Sequence, residues 1–421
     1  MTDVSINGVP HTPVVGKSVD DISAERLRTI VQDSHLSFLI GAGTPSSFFG
    51  LLGNVEDALT ELSELDASDD TKAIVRASIY GYFFDSVLAP NLKVVNRHSE
   101  TEAVLTSYAK FLRTVNRILL KRHSSILAKQ ANIFTTNVDL VFEVALEQMG
   151  IDFSDGFSGK IRPRFDLGDF NTIRLRMASR FEQRSEVPVF NLVKLHGSAG
   201  WRQESHSPGQ TEIIFDHGLT VIAEVQKTLA AARDQLIPIS EPHEVSASAL
   251  AAKVPTGAAS ATVHDFMTAY SALGIVNPDK QKFATTVLNE TYYELIRRFA
   301  NEMEKENSVL FVHGFSFRDE HLRDVVLRAA RANPTLQVIV FCYSRADRAE
   351  YQKLIPEVDV KNSNIIYIAP AAPDEGADET RATLDVVTRD YFAPIVADKF
   401  PAPDQRIELG IHISASESTD V

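Results

Sequence analysis

The chain predicts a doubly wound α/β fold: a mostly parallel sheet whose strands alternate with helices, enlarged by helical insertions. Three observations carry this. Apolar runs of strand length recur at Leu36–Ile40, Asn132–Thr135, Val189–Leu195, Ser308–His313, Val338–Cys342 and Ile365–Ile368. Stretches with helical spacing of apolar residues separate them. The first three runs each end in a compact phrase: GAG at Gly41–Gly43, TTNVD at Thr135–Asp139 and KLHGS at Lys194–Ser198. In an open α/β sheet, ligands bind beyond the carboxyl ends of the strands, so these phrases have a physical reason to converge.

Residues 1–22 hold Gly8, Pro10, Pro13 and Gly16 without periodicity and read as an N-terminal arm. A short helix opens at Ser23 and leads into the first buried strand. From about 46 to 130 the pattern is helical, with one helix from Asn54, a second over Thr71–Leu88 and a long third over Glu100–Lys129. That is too much helix for one crossover, and the excess reads as an insertion packed beside the sheet. Leu140–Met149 follows as an amphipathic helix stopped by Gly150. Residues 151–187 look irregular. A second insertion spans about 218–299, and its Ala-, Ser- and Pro-rich middle, Ile237–Thr262, reads as a partly mobile loop. The strand at Ser308–His313 then restores the alternation, followed by a helix over Glu320–Ala332 and two further strands. Residues 23–395 thus make one α/β domain with two insertions, and 396–421 a C-terminal tail.

Composition narrows the function. The 421 residues are 44% hydrophobic, enough for a sizeable core, and carry a net charge of −14. Such an acidic surface repels phosphate backbones and argues against nucleic acid as a partner of this chain alone. The one cysteine, Cys342, lies within an apolar run and reads as a buried strand residue. It can form neither an intrachain disulfide nor a four-cysteine zinc site, and no metal is expected. No apolar stretch has the length of a membrane span, and the N-terminus lacks a signal-peptide pattern. A cytoplasmic protein is expected.

The phrases carry the chemistry. A glycine turn between strand and helix lets backbone amides approach a pyrophosphate, with the helix N-terminus favouring its charge. Gly41-Ala42-Gly43-Thr44 has that form, but Ser46 stands where the third glycine of the dinucleotide pattern belongs, and no lysine follows in P-loop spacing. Asn137 and Asp139 are either helix caps or hydrogen-bonding partners for a ribose and a water. His196, before Gly197, is either structural or an acid–base group, since imidazole titrates near neutral pH.

The ordered set resembles the sirtuin superfamily, which binds NAD in a Rossmann-like domain with a Gly-Ala-Gly turn, a Gln/Thr-Asn-Ile/Val-Asp segment and a His-Gly segment. Gly314-Phe-Ser-Phe-Arg-Asp-Glu-His321 is similar to the strand-end segment of sirtuin-like NADases in bacterial anti-phage systems. The resemblance implies that Asn137 orients ribose or water, that His196 acts as base, and that Gly314 and Ser316 touch the substrate. Tyr343-Ser344 fall where the family binds the adenine ribose. The expected NAD contacts are therefore Gly41, Ala42, Gly43, Thr44, Thr136, Asp139, Gly314, Ser316 and Ser344.

Departures from the family matter equally. Its protein deacylases carry a four-cysteine zinc ribbon that a single cysteine cannot supply, and Thr44-Pro-Ser-Ser-Phe-Phe-Gly50 replaces their Gly-Ile-Pro-Asp-Phe-Arg stretch, leaving Phe48 or Phe49 as lid aromatics. Asp319 reads as a helix N-cap in preference to a metal ligand. Water becomes the expected acceptor, making the chain an NAD glycohydrolase of anti-phage defence. A deacylase and a non-catalytic NAD- or ADP-ribose-binding regulatory subunit are the alternatives. The resemblance also implies a homo-oligomer, built through the first insertion and working with a HerA-type ATPase.

Overall fold

A computed structural model describes residues 22–51, 53–122, 127–177, 184–207, 210–240, 245–255, 259–277, 290–356, 360–373 and 379–397. Nearly all of the expected N-terminal arm and C-terminal tail lies outside them, as do parts of the second insertion. The strands run in chain order as β1 (His35–Ile40), β2 (Gln130–Thr135), β3 (Phe153–Ser154), β4 (Phe157–Ser158), β5 (Arg164–Phe165), β6 (Leu175–Met177), β7 (Arg184–Glu186), β8 (Val189–Lys194), β9 (Gly197–Ser207), β10 (Gln210–Phe215), β11 (Leu273–Ile275), β12 (Ser308–His313), β13 (Gln337–Phe341) and β14 (Ile365–Ile368).

Seven of them form the central sheet in the order β14-β13-β12-β1-β2-β8-β3, and every pairing is parallel. This is the expected doubly wound, Rossmann-like α/β fold. From β1 the chain passes to β2, lays the edge strand β3 and fills the gap with β8, then returns to lay β12, β13 and β14 on the other side. The order reverses between β1 and β12, which places the switch point there.

Both sheet faces are covered, which is why the strands read as continuous apolar runs. On one face Phe38 packs between Phe111 and Phe311, with ring centroids 5.2 and 5.3 Å apart. On the other, Phe134 meets Phe299 of the Glu290–Glu304 helix at 4.8 Å.

The helical stretch between β1 and β2 divides in two. The long Glu102–Lys121 helix buries Tyr108, Phe111 and Val115 against the sheet and is the crossover helix itself. The helices Val55–Glu64 and Asp69–Phe83 turn away and pack with Thr220–Ala232 and Ala261–Ser271 from the second insertion. Tyr80 stacks on Tyr270 at 4.6 Å across this junction. Two insertions expected as separate pieces therefore form one helical unit with its own core. The described residues of the Ile237–Thr262 stretch pack into it and include the helix Ala247–Ala251.

Residues 151–187, expected to be irregular, hold β3 to β7. Two of these, β4 and β5, join β9, β10 and β11 in a second sheet of order β11-β9-β10-β5-β4, with antiparallel pairings. Its centre is Trp201, packed against Phe157 and Phe165. Among the described residues, no helix is long and apolar enough to cross a membrane.

Candidate active site

The loops after β1 and β12 interlock at the switch point. The Gly41 N–H donates to the His313 carbonyl at 3.0 Å and the Gly43 N–H to the Gly314 carbonyl at 2.9 Å. A Cβ on Gly41 would collide with the Gly314 carbonyl, so only glycine allows this approach. Gly314 has φ +66°, and a Cβ there would run into Thr44. The glycine turn therefore joins two loops instead of opening as an anion cradle, and the Thr44 N–H is also taken, by the Gly41 carbonyl. The N–H groups of Ala42, Gly314 and Ser316 donate to nothing among the described residues.

A cavity of about 670 Å³ opens beyond these strand ends. Of the residues expected from the sequence, it is lined by Ala42, Gly43, Thr136, Asn137, Asp139, His196, Gly314 and Ser316. Phe49 also lines it, while Phe48 does not. The helical unit supplies the facing wall through Leu51, Glu56, Phe83 and Val87.

Three expected contacts are not brought to the cavity. Gly41 is buried in the interlock. Thr44 turns its hydroxyl to His313, with Oγ1 2.8 Å from Nδ1. Ser344 caps the Arg345–Leu354 helix in a capping box with Asp347, which occupies both its N–H and its hydroxyl. Its neighbour Tyr343 lines the cavity instead, with the Arg381 guanidinium 5.6 Å from the ring centroid.

Asn137 is held from two sides. Its N–H donates to Thr135 Oγ1 at 3.0 Å and its Nδ2 to the Gly41 carbonyl at 3.1 Å. The remaining Oδ1 is buried with no hydrogen-bond partner. Such an orphaned acceptor is costly unless a ligand or water donates to it. Asp139 accepts the Val141 N–H at 3.0 Å and so also starts the following helix.

Beneath this loop lies Lys194, 1% exposed, which the sequence reading passed over. Its ammonium donates to the carbonyls of Asp139 and Asn137 and stands 3.2 Å from Glu143 Oε1. Burial pushes the Glu143 carboxyl up to about 7, with Lys194 pulling against that shift. A buried cation thus ties the Asn137 loop from below.

His196 joins β8 to β9. Its carbonyl accepts the Val276 N–H at 2.9 Å, and Gly197 turns the chain with φ +77° where a Cβ would strike the Gly274 carbonyl. The imidazole Nε2 lies 3.2 Å from Asp319 Oδ2, in a pair only 17% and 11% exposed. Asp319 is the expected N-cap, accepting the Leu322 N–H through Oδ1 at 3.2 Å, but its second oxygen belongs to His196.

A second histidine, His313, sits in the cavity floor. Its Nε2 donates to the Ala382 carbonyl at 3.0 Å, which leaves Nδ1 to accept from Thr44. Burial lowers its pKa to about 4, so it is neutral at ordinary pH. Cys342 is buried as expected, its thiol pushed up to about 12 mainly by desolvation. Among the described residues, no three His, Cys, Asp or Glu side chains gather as metal ligands would.

No protein-family model matches this chain, and no curated protein matches it. The functional reading therefore rests on the geometry. In one cavity it combines an imidazole backed by a carboxylate, an unsatisfied amide acceptor and several open N–H donors.

Proposed function

We propose that this protein is an NAD glycohydrolase of bacterial anti-phage defence, cleaving NAD to nicotinamide and ADP-ribose. The observation that carries the proposal is the meeting of Asn137, His196 and the open N–H groups in a single cavity at the switch point. Its volume falls within the range of roughly 300–1,000 Å³ usual for small-molecule sites. The N–H groups of Ala42, Gly314 and Ser316 suit a pyrophosphate because, unlike those of Gly41, Gly43 and Thr44, they are free to donate. Asn137 Oδ1 suits a ribose hydroxyl or the attacking water.

Cleavage sends the bonding pair to nicotinamide and leaves positive charge on the ribose. Asp139 supplies a cavity carboxylate to offset that charge, and His196 takes the proton of the incoming water. Water is the expected acceptor because one cysteine cannot build the zinc ribbon of the deacylases.

Incubation of the purified protein with NAD, with and without an acetylated peptide, is the test. Nicotinamide released without peptide supports the proposal. Release only with peptide would make the protein a deacylase, and no release either alone or with its ATPase partner would make it a binding subunit.

The same reading places the enzyme in the cytoplasm, kept quiet until infection as a homo-oligomer working with a HerA-type ATPase. The helical unit, which walls the cavity, gives assembly a route to the site. Light scattering after size-exclusion chromatography checks this, and a monomer fully active alone would overturn it.

A further inference from the structure

We infer that Asp319 fixes the tautomer of His196, holding the proton on Nε2 and leaving Nδ1 as the base that faces the reaction. Asp319 is a positioning residue in this scheme. The inference rests on the glycohydrolase reading for its kinetic consequence, but the tautomer can be measured without it.

The two carboxylate oxygens of Asp319 have different partners. A helix N-cap needs only one acceptor, and Oδ1 fills that need at the Leu322 N–H. That bond, together with the positive end of the Glu320–Ala332 helix, fixes the carboxylate and favours its charge. Oδ2 is then presented to His196 Nε2 at 3.2 Å in a place largely closed to solvent. A carboxylate accepts only, so a neutral imidazole meets it by carrying its hydrogen on Nε2.

The lone pair is left on Nδ1, for which no partner exists among the described residues. The ring's backbone is pinned by the Val276 N–H and the Gly197 turn, so few other orientations compete. When Nδ1 takes a proton from water, the resulting imidazolium remains opposite Asp319, and the product of the step is stabilised. The water oxygen keeps the electron pair for the ribose, so no further reactant is required. The same pairing logic governs carboxylate–histidine units elsewhere.

Asp319→Asn separates this role from capping, because asparagine caps helices about as well as aspartate. With its carbonyl oxygen retained by the helix, the amide NH₂ faces Nε2 and demands a lone pair there. The hydrogen moves to Nδ1 and the base is lost. The measurements are imidazole ¹⁵N shifts of the ligand-free protein, the thermal midpoint, and kcat and KM for NAD cleavage.

In the wild type, the protonated nitrogen of His196 is expected to be Nε2. In Asp319→Asn it becomes Nδ1, the thermal midpoint is kept, and kcat falls about 10²- to 10⁴-fold with KM within about threefold. Asp319→Ala, which also removes the cap, lowers the thermal midpoint as well. A wild-type proton on Nδ1, or an Asn variant with the wild-type tautomer or turnover, would overturn the inference. If the wild type releases no nicotinamide even with its ATPase partner present, the glycohydrolase reading fails while the ¹⁵N shifts still decide the tautomer.

Discussion

At the scale of single residues, the site is a set of side chains whose hydrogen-bonding capacity is only partly used. Asn137 has one amide oxygen left over and His196 one ring nitrogen. His196→Ala and Asn137→Ala should each lower NAD cleavage by at least about 10²-fold, the usual scale for a general base or positioning group. Circular dichroism should show an unchanged fold. Wild-type turnover in either variant would remove that residue from the mechanism. Both were legible in the sequence because each follows an apolar run that ends at the sheet's carboxyl edge. Asp319's second role was not, since a pair formed by two distant strand ends leaves no local pattern. Ser344 caps a helix instead of lining the cavity, and Ser344-x-x-Asp347 already has the spacing of a capping box.

His313 gives the residue scale a pH dependence. Its folded pKa, near 4, lies below the value of about 6.5 for an unfolded histidine. Between those values the unfolded chain binds a proton that the folded chain refuses. Its contribution to stability is therefore present above pH 6.5 and lost as pH falls towards 4, by up to about 3 kcal/mol. Glu143 acts with the opposite sign. Its raised folded pKa favours the native state at low pH, and that contribution disappears as pH rises through about 7. His313→Asn isolates the first effect. Relative to wild type, the variant should gain stability steadily in urea titrations from pH 6.5 to 4. Parallel curves would show that His313 titrates normally in the fold.

At the scale of elements, the interlock of the β1 and β12 loops positions everything around it. Gly314→Ala must place a Cβ against Thr44 at a φ of +66°, and the loop has to shift. A loss of more than about 1 kcal/mol is expected, as for alanine where φ is positive, together with weaker NAD binding. Unchanged unfolding and an unchanged KM would mean that the loops move apart without cost. The strands forming this frame were legible because burial on both faces gives continuous apolar runs. The strands within 151–187 were not, because pairs such as Phe157–Ser158 are too short to show a period. The excess of helix after β1 was visible in the sequence. Its division was not, since the Glu102–Lys121 helix and its predecessors share one periodicity and differ only in what they pack against.

At the scale of the whole molecule, three hydrophobic clusters raise the question of whether the helical unit unfolds by itself. Its polar ties to its own parts are mostly exposed, as with Arg233 and Asp85 at 2.6 Å, and such pairs contribute little. Its core, however, includes Val138 and Leu140 of the Asn137 loop, Ala199 of β9, and Leu273 and Ile275 of β11. The unit is closed by residues of the second sheet and of the loop that follows β2 of the central sheet, and its chain enters and leaves on either side of β2 and β8. Melting it alone would expose that shared surface and release the loop that holds Asn137. One cooperative transition is therefore expected. The chain offers a clean probe, because its single tryptophan, Trp201, is buried in the second sheet beside the His196 turn. Thermal unfolding followed by tryptophan fluorescence and by far-ultraviolet circular dichroism should give coincident midpoints. Leu140→Ala should lower both together, by about 2–5 kcal/mol of stability. Early loss of helix signal with Trp201 fluorescence unchanged would mean that the helical unit is an independent lid over the cavity.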